Sequence, residues 1–189
     1  MCSESKNIKL FKIPVVFHFN TLYDVFRHRC TLMERKEKMK PSIEIMPSCT
    51  VTYMRQIGPY GPGNRRLMEK FKGWLDANNL LEQKSSIFGI AQDNPLLTAP
   101  EACRYDVCLI VPQGFITDDK EVKLRGMSGG KYAVFKITHT AEAVQRAWDE
   151  VFLVLDAFGF KLDKTRPVLE RYSMELVERH YCELCVPVR

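Results

Sequence analysis

From residue 51 the chain alternates apolar and polar positions in "VTYMRQ" (51–56), the period-two pattern of a strand with one buried face. The turn "GPYGPGN" follows, and Asn64 reads as the N-cap of a helix. That helix places Leu67, Phe71, Trp74 and Leu75 on one stripe. Two further strands are expected at 86–92 ("SIFGIAQ") and 104–112 ("RYDVCLIVP"). The order then repeats. A strand at 131–138 ("KYAVFKIT") precedes a helix that Thr140 caps, with Val144, Trp148, Val151 and Leu155 on one face and Gly159 as its stop signal. Strands at 167–172 ("PVLERY") and 181–188 ("YCELCVPV") complete the set. The helix ends match at an offset of about eighty residues, "WLDANNL" (74–80) against "VLDAFGF" (154–160). The expected architecture is α+β: duplicated β-α-β-β halves with pseudo-two-fold symmetry around a central ligand cleft.

Composition narrows the function classes. With 46% hydrophobic and 27% charged residues, the 189-residue chain has material for a full core. No apolar run approaches the ~20 residues that a membrane helix needs, and no signal peptide is read at the start. Seven cysteines without a regular framework suit a reducing, cytoplasmic setting. The formal charge of +5 is uneven: residues 1–45 hold nine Lys/Arg against five Asp/Glu, and residues 46–189 hold nineteen against eighteen. The body therefore lacks the footprint of a nucleic-acid binder. The basic cluster Arg27 to Lys40 reads either as a nucleic-acid arm or, with Glu34 and Glu37 interleaved, as a solvated helix face. Residues 1–42 are taken as a basic helical segment and 43–189 as the functional domain.

Candidate chemistry concentrates at the end of the chain. Glu170 and Glu183 each sit among apolar residues of an expected strand, and an ionised carboxylate in such a place needs a partner. Alternation puts Val168, Glu170 and Tyr172 on one face, and Tyr181, Glu183 and Cys185 on one face of the next strand. Paired as a hairpin, both glutamates could line one concave surface; an ion pair to Arg166, Arg171 or Arg179 is the structural alternative. Tyr53, Tyr105 and Tyr172 are candidate pocket walls, and Trp148 is either wall or core. "CELC" (182–185) has C-x-x-C spacing, but residues i and i+3 of a strand point to opposite faces, so no metal site is expected there. The glycine-rich turns lack phosphate-cradle spacing, and the four histidines form no convincing triad. No cofactor is expected.

The stretches "VTYMRQIGPYG", "FGIAQDNP", "RYDVCLIVP", "MSGGKYAVFKITH", "AEAVQRAWDEVF" and "PVLERY…YCELCVPV", in that order over residues 43–189, resemble the GyrI-like domains. These include effector-binding domains of multidrug-sensing regulators, among them AraC-type ones. The resemblance implies two β-α-β-β halves around a pocket for lipophilic, often cationic, aromatic compounds. Glu170 matches the family's acidic pocket residue on the penultimate strand, Glu183 a second acidic residue on the last strand, and Trp148 the helix aromatic. Ala91 stands where many members carry an aromatic. Only about 45 residues precede the body, too few for a two-unit helix-turn-helix domain, so autonomous operator binding is not expected. The resemblance also leaves open DNA gyrase as a partner. A further alternative is hydrolysis: some stand-alone members open cyclopropane rings of DNA-alkylating compounds, and Glu170 and Glu183 would then be the catalytic pair.

Overall fold

A computed structural model describes residues 39–82 and 84–189. Residues 1–38, with nearly all of the expected basic helical segment, lie outside the described residues. Eight strands form one antiparallel sheet: β1 (Ser42–Met46), β2 (Cys49–Ile57), β3 (Ser86–Ala91), β4 (Arg104–Val111), β5 (Lys123–Met127), β6 (Gly130–Thr138), β7 (Leu169–Ser173) and β8 (Tyr181–Pro187). Their order across the sheet is β1-β6-β8-β7-β3-β4-β2-β5. Three α-helices are described: α1 (Pro62–Ala77), α2 (Ala141–Ala157) and the short α3 (Met174–Glu178). The α+β class and the six strands expected from alternation are present; the edge strands β1 and β5 and the helix α3 are additions.

The first helix starts earlier than expected. Pro62 occupies its first position, where a missing N–H costs nothing, and Gly61 is the N-cap without a side-chain bond. Asn64 is thus inside the first turn, where its Oδ1 accepts from Gln56 Nε2 at 3.1 Å. The second helix begins as expected: Thr140 Oγ1 accepts from the Ala143 N–H at 3.2 Å. It ends at Gly159, whose φ of 78° is the left-handed conformation that glycine adopts without strain.

The two long helices cover one face of the sheet over two separate apolar clusters. Leu67, Phe71 and Leu75 of α1 pack with Met54, Ile87, Tyr105, Val107 and Leu109. Ala147, Val151, Val154 and Leu155 of α2 pack with Ala133, Phe135, Leu184 and Val186. The opposite face carries a third cluster built from Val51, Phe88, Ile90, Cys108, Tyr132, Val134, Leu169 and Cys185. Truncating a fully buried ring such as Phe71 to alanine would cost ~3–5 kcal/mol, so these clusters are what fixes the helices on the sheet.

Candidate functional site

Glu170 lies on β7 at the join between the two helix-covered clusters. It stands in register with Gly89 of β3 on one side and Leu184 of β8 on the other, and its side chain emerges on the helix-covered face. Three side chains from three elements donate to it. Trp148 Nε1, from α2, reaches Oε1 at 2.7 Å. The Tyr105 hydroxyl, from β4, reaches Oε2 at 2.5 Å, and the Tyr172 hydroxyl, two residues along β7, reaches the same oxygen at 3.1 Å. Gly89 makes the cluster possible. A Cβ at that position would overlap the Tyr105 hydroxyl and press on Glu170 Oε2, so this strand residue leaves the room that the phenol and carboxylate fill.

All three donors are neutral, and among the described residues no cation pairs with Glu170. Hydrogen bonds to a charged acceptor contribute about 1.5–3 kcal/mol each, enough to hold the carboxylate without cancelling its charge. More rings surround it. Tyr60 meets Tyr105 edge to face with centroids 6.1 Å apart, His139 lies 5.3 Å from Tyr172, and Phe152 lies 6.4 Å from Trp148. Burial, followed by the charge of Glu170, holds the Tyr105 and Tyr172 phenols well above their ordinary range, so both remain protonated donors. Burial and the nearby Lys72 and His180 push the His139 imidazole below its usual value, which favours a neutral ring beside the site.

The structure brings together Glu170, Trp148, Tyr105 and Tyr172, and separates Glu183 and Tyr53 from them. In the β7–β8 register Glu183 stands opposite Arg171, one residue away from where a shared surface requires it. It therefore projects from the other face, paired with Arg171 Nε at 2.7 Å. The same guanidinium binds Glu44 of β1 at 2.8 and 3.0 Å. The expected common surface for both glutamates is thus corrected, and the ion-pair alternative describes Glu183. Tyr53 is also on that opposite face, its ring 5.5 Å from the Arg55 guanidinium and 4.9 Å from that of Arg125. Trp74 stacks on Phe71 at the α1 core. Ala91 lies across from Tyr105 at the edge of the same core. Cys182 pairs with Ile137 and Cys185 with Val134, three positions apart, so the two thiols face opposite sides of β8. Gly89 was missed in sequence, although an isolated glycine inside a strand pattern is a signal of close approach. Two surface clefts, of about 470 and 410 Å³, lie away from Glu170. The Glu170 cluster is instead closed by its own donors.

Residues 39–189 match the model of the GyrI-like small molecule binding domain. YosT of Bacillus subtilis strain 168, an SPbeta prophage-derived protein named as a transcriptional regulator, is 37% identical over 152 residues, 80% of this chain and 100% of its own. A DNA gyrase inhibitor of Edwardsiella piscicida is 30% identical over 161 residues, 80% of this chain and 99% of its own. Among solved structures, the EcmrR C-terminal domain superposes with a TM-score of 0.63 at 15% identity, covering 80% of this chain and 98% of that one, a likeness of fold. The chain belongs to the GyrI-like small-molecule-binding family.

Proposed function

We propose, from that membership, that this protein binds a lipophilic, cationic aromatic compound on the helix-covered face of its sheet, with Glu170 as the counter-charge. The observation that carries this reading is the set of three neutral donors on Glu170, which stabilise a carboxylate while leaving its charge for a ligand. Trp148, Tyr105 and Tyr172 would supply ring faces, each cation–π contact contributing ~0.5–2 kcal/mol. Because these side chains close over the carboxylate, the ligand would enter as the Trp148 and tyrosine bonds open. The strand order β6-β8-β7-β3-β4-β2 supports reading the body as two β-α-β-β units that meet at β7 and β3, with the site at their seam. The protein would act in the cytoplasm as an effector-binding or sequestering module, and its relatives named as regulators support the former. Hydrolysis by paired glutamates gains no support from the geometry, since Glu183 lies on the other face with Arg171.

The test is a tryptophan-fluorescence titration with a tetraaryl phosphonium cation, since the Trp148 indole is bonded directly to Glu170. The expected result is micromolar saturation that weakens at least ~10-fold in Glu170→Gln, about 1.4 kcal/mol. The phosphonium should be recovered unchanged. Equal binding by native and variant chains, or equal binding of a neutral isostere, would sink the reading.

A further inference from the structure

The two long helices bury matching positions. Leu67, Phe71 and Leu75 of α1 stand eighty residues before Ala147, Val151 and Leu155 of α2, and all six are buried. At the same offset Met68 corresponds to Trp148 and Lys72 to Phe152. Each of these pairs therefore projects from the same flank of its helix, beside the buried stripe. For α2 that flank is turned to the middle of the sheet, because Trp148 reaches Glu170 on β7. For α1 it is turned the same way, since the Lys72 charge is felt at His139, whose ring lies 5.3 Å from Tyr172. Glu170 thus has unequal surroundings. On the α2 side stands an outer phenyl ring, and on the α1 side an ammonium loosely paired with Glu69 at 3.4 Å.

Phe152 has no task in the core. It is 41% exposed, and among the described residues it is not one of those that build the apolar cluster beneath α2. Its ring meets that of Trp148, one helical turn back, with centroids 6.4 Å apart and planes at 50°. Single exposed apolar side chains need no special explanation, and the neighbouring Leu153, 51% exposed, is of that kind. Phe152 differs by its place. A phenyl is a poorer helix former than leucine or alanine, so an exposed helical position gains nothing from it locally. What it does is carry the aromatic surface of the site outward, from the half-buried indole to solvent.

We propose that Phe152 is a specificity-determining residue of the Glu170 site: it takes the outer aryl group of a cation that carries several, and so selects multi-ring cations over compact ones. The inference rests on Glu170 acting as the counter-charge. With the charge held at the carboxylate, a ligand whose rings radiate from its cationic centre can set one of them against Phe152. Edge-to-face or offset stacking, the arrangements that aromatic pairs favour, would hold it there. The Lys72 ammonium repels the cationic centre, which leans the ligand toward α2. An alkyl cation of the same charge satisfies Glu170 and gains nothing from a phenyl outside Trp148.

The experiment is calorimetric titration of the full chain with tetraphenylphosphonium, and displacement of that ligand by tetraethylphosphonium. Phe152→Ala should weaken the aryl cation about five-fold, ~1 kcal/mol, and leave the alkyl cation unchanged. Phe152→Tyr, which keeps a ring, should restore the native aryl affinity. Leu153→Ala, next to it but outside the ring contact, should change neither. The melting temperature of Phe152→Ala should stay at or slightly above the native one, since the ring is exposed and alanine favours the helix. Glu170→Gln should weaken both cations and preserve their ratio. Equal losses for both cations in Phe152→Ala, no loss for either, or a loss in Leu153→Ala as large as that in Phe152→Ala would overturn the proposal. If Glu170→Gln still weakens binding in that case, the counter-charge stands and only the role of Phe152 is removed. A native chain that binds neither phosphonium sinks both.

Discussion

Glu170 and Glu183 stand on neighbouring strands, both half-buried, and the chain compensates them in opposite ways. Glu183 meets the Arg171 guanidinium, which also binds Glu44 and so ties β1 to β7 and β8. Glu170 meets an indole and two phenols. A cation cancels the field of a carboxylate; neutral donors hold it in place and leave the field intact. Of two acids that look alike along the chain, one is therefore part of the scaffold and the other has charge to offer.

The contrast breaks most visibly at Arg171. Arg171→Met leaves two carboxylates facing each other without a cation, at a cost of about 3 kcal/mol, or a drop of roughly 6–12 °C in melting temperature. Phosphonium affinity should stay within about two-fold. Arg171 holds the Glu44 carboxyl below its ordinary range. A depressed folded value means that the stability is present above about pH 4.5 and is lost as the pH falls below it, so the gap between native and variant melts should narrow on acidification. A melt unchanged at neutral pH would show that Glu183 needs no partner.

A smaller effect is expected at Gly89, on the other side of the comparison. Gly89→Ala drives a methyl into the Tyr105 hydroxyl and Glu170, costing ~1–3 kcal/mol in stability and weakening phosphonium binding together. Gly73→Ala is the control: it sits in open space within α1, and alanine there should stabilise by ~1 kcal/mol with binding unchanged. If the two glycines respond alike, the close approach at Gly89 is not what shapes the site.

The smallest effect lies at alkaline pH. The Tyr105 and Tyr172 phenols are raised in the folded state, so their contribution is whole below about pH 10 and is lost as the pH climbs above it. In a spectrophotometric titration these two should ionise last among the seven tyrosines, and earlier in Glu170→Gln, where the neighbouring charge is gone. Simultaneous ionisation of all seven near pH 10 would contradict a buried cluster.

Much of this was legible in the chain itself. Alternation located six strands, the apolar stripes located both long helices, and Thr140 marked a true cap. Trp148 and Glu170 were recognisable as candidates because each is a polar-tipped or charged group on an otherwise apolar face. What alternation cannot supply is the register between strands. A one-residue slip moves every side chain to the other face, which is why Glu183 and Tyr53 were grouped with Glu170 and lie opposite it. The short strands β1 and β5 offer five residues each with no fully buried position, too little signal for a period, and both pair with strands far along the chain. The contacts of the buried Asp106 on β4 were invisible for the same reason, since its partners Arg55, Arg125 and Gln92 come from β2, from β5 and from just past β3.

The strand order also sets a timetable for synthesis. Ser42 on β1 pairs with Val134 on β6, and Cys49 on β2 pairs with Met127 on β5, so each edge of the sheet waits for a partner made much later. β3, which sits mid-sheet, gains its second neighbour only with β7. A nascent chain emerging from the ribosome cannot close either edge, nor cover the middle, until most of its length is out. Contacts this distant place folding in the slow, millisecond-to-second regime, with unpaired strands available to chaperones, or to one another, in the interval.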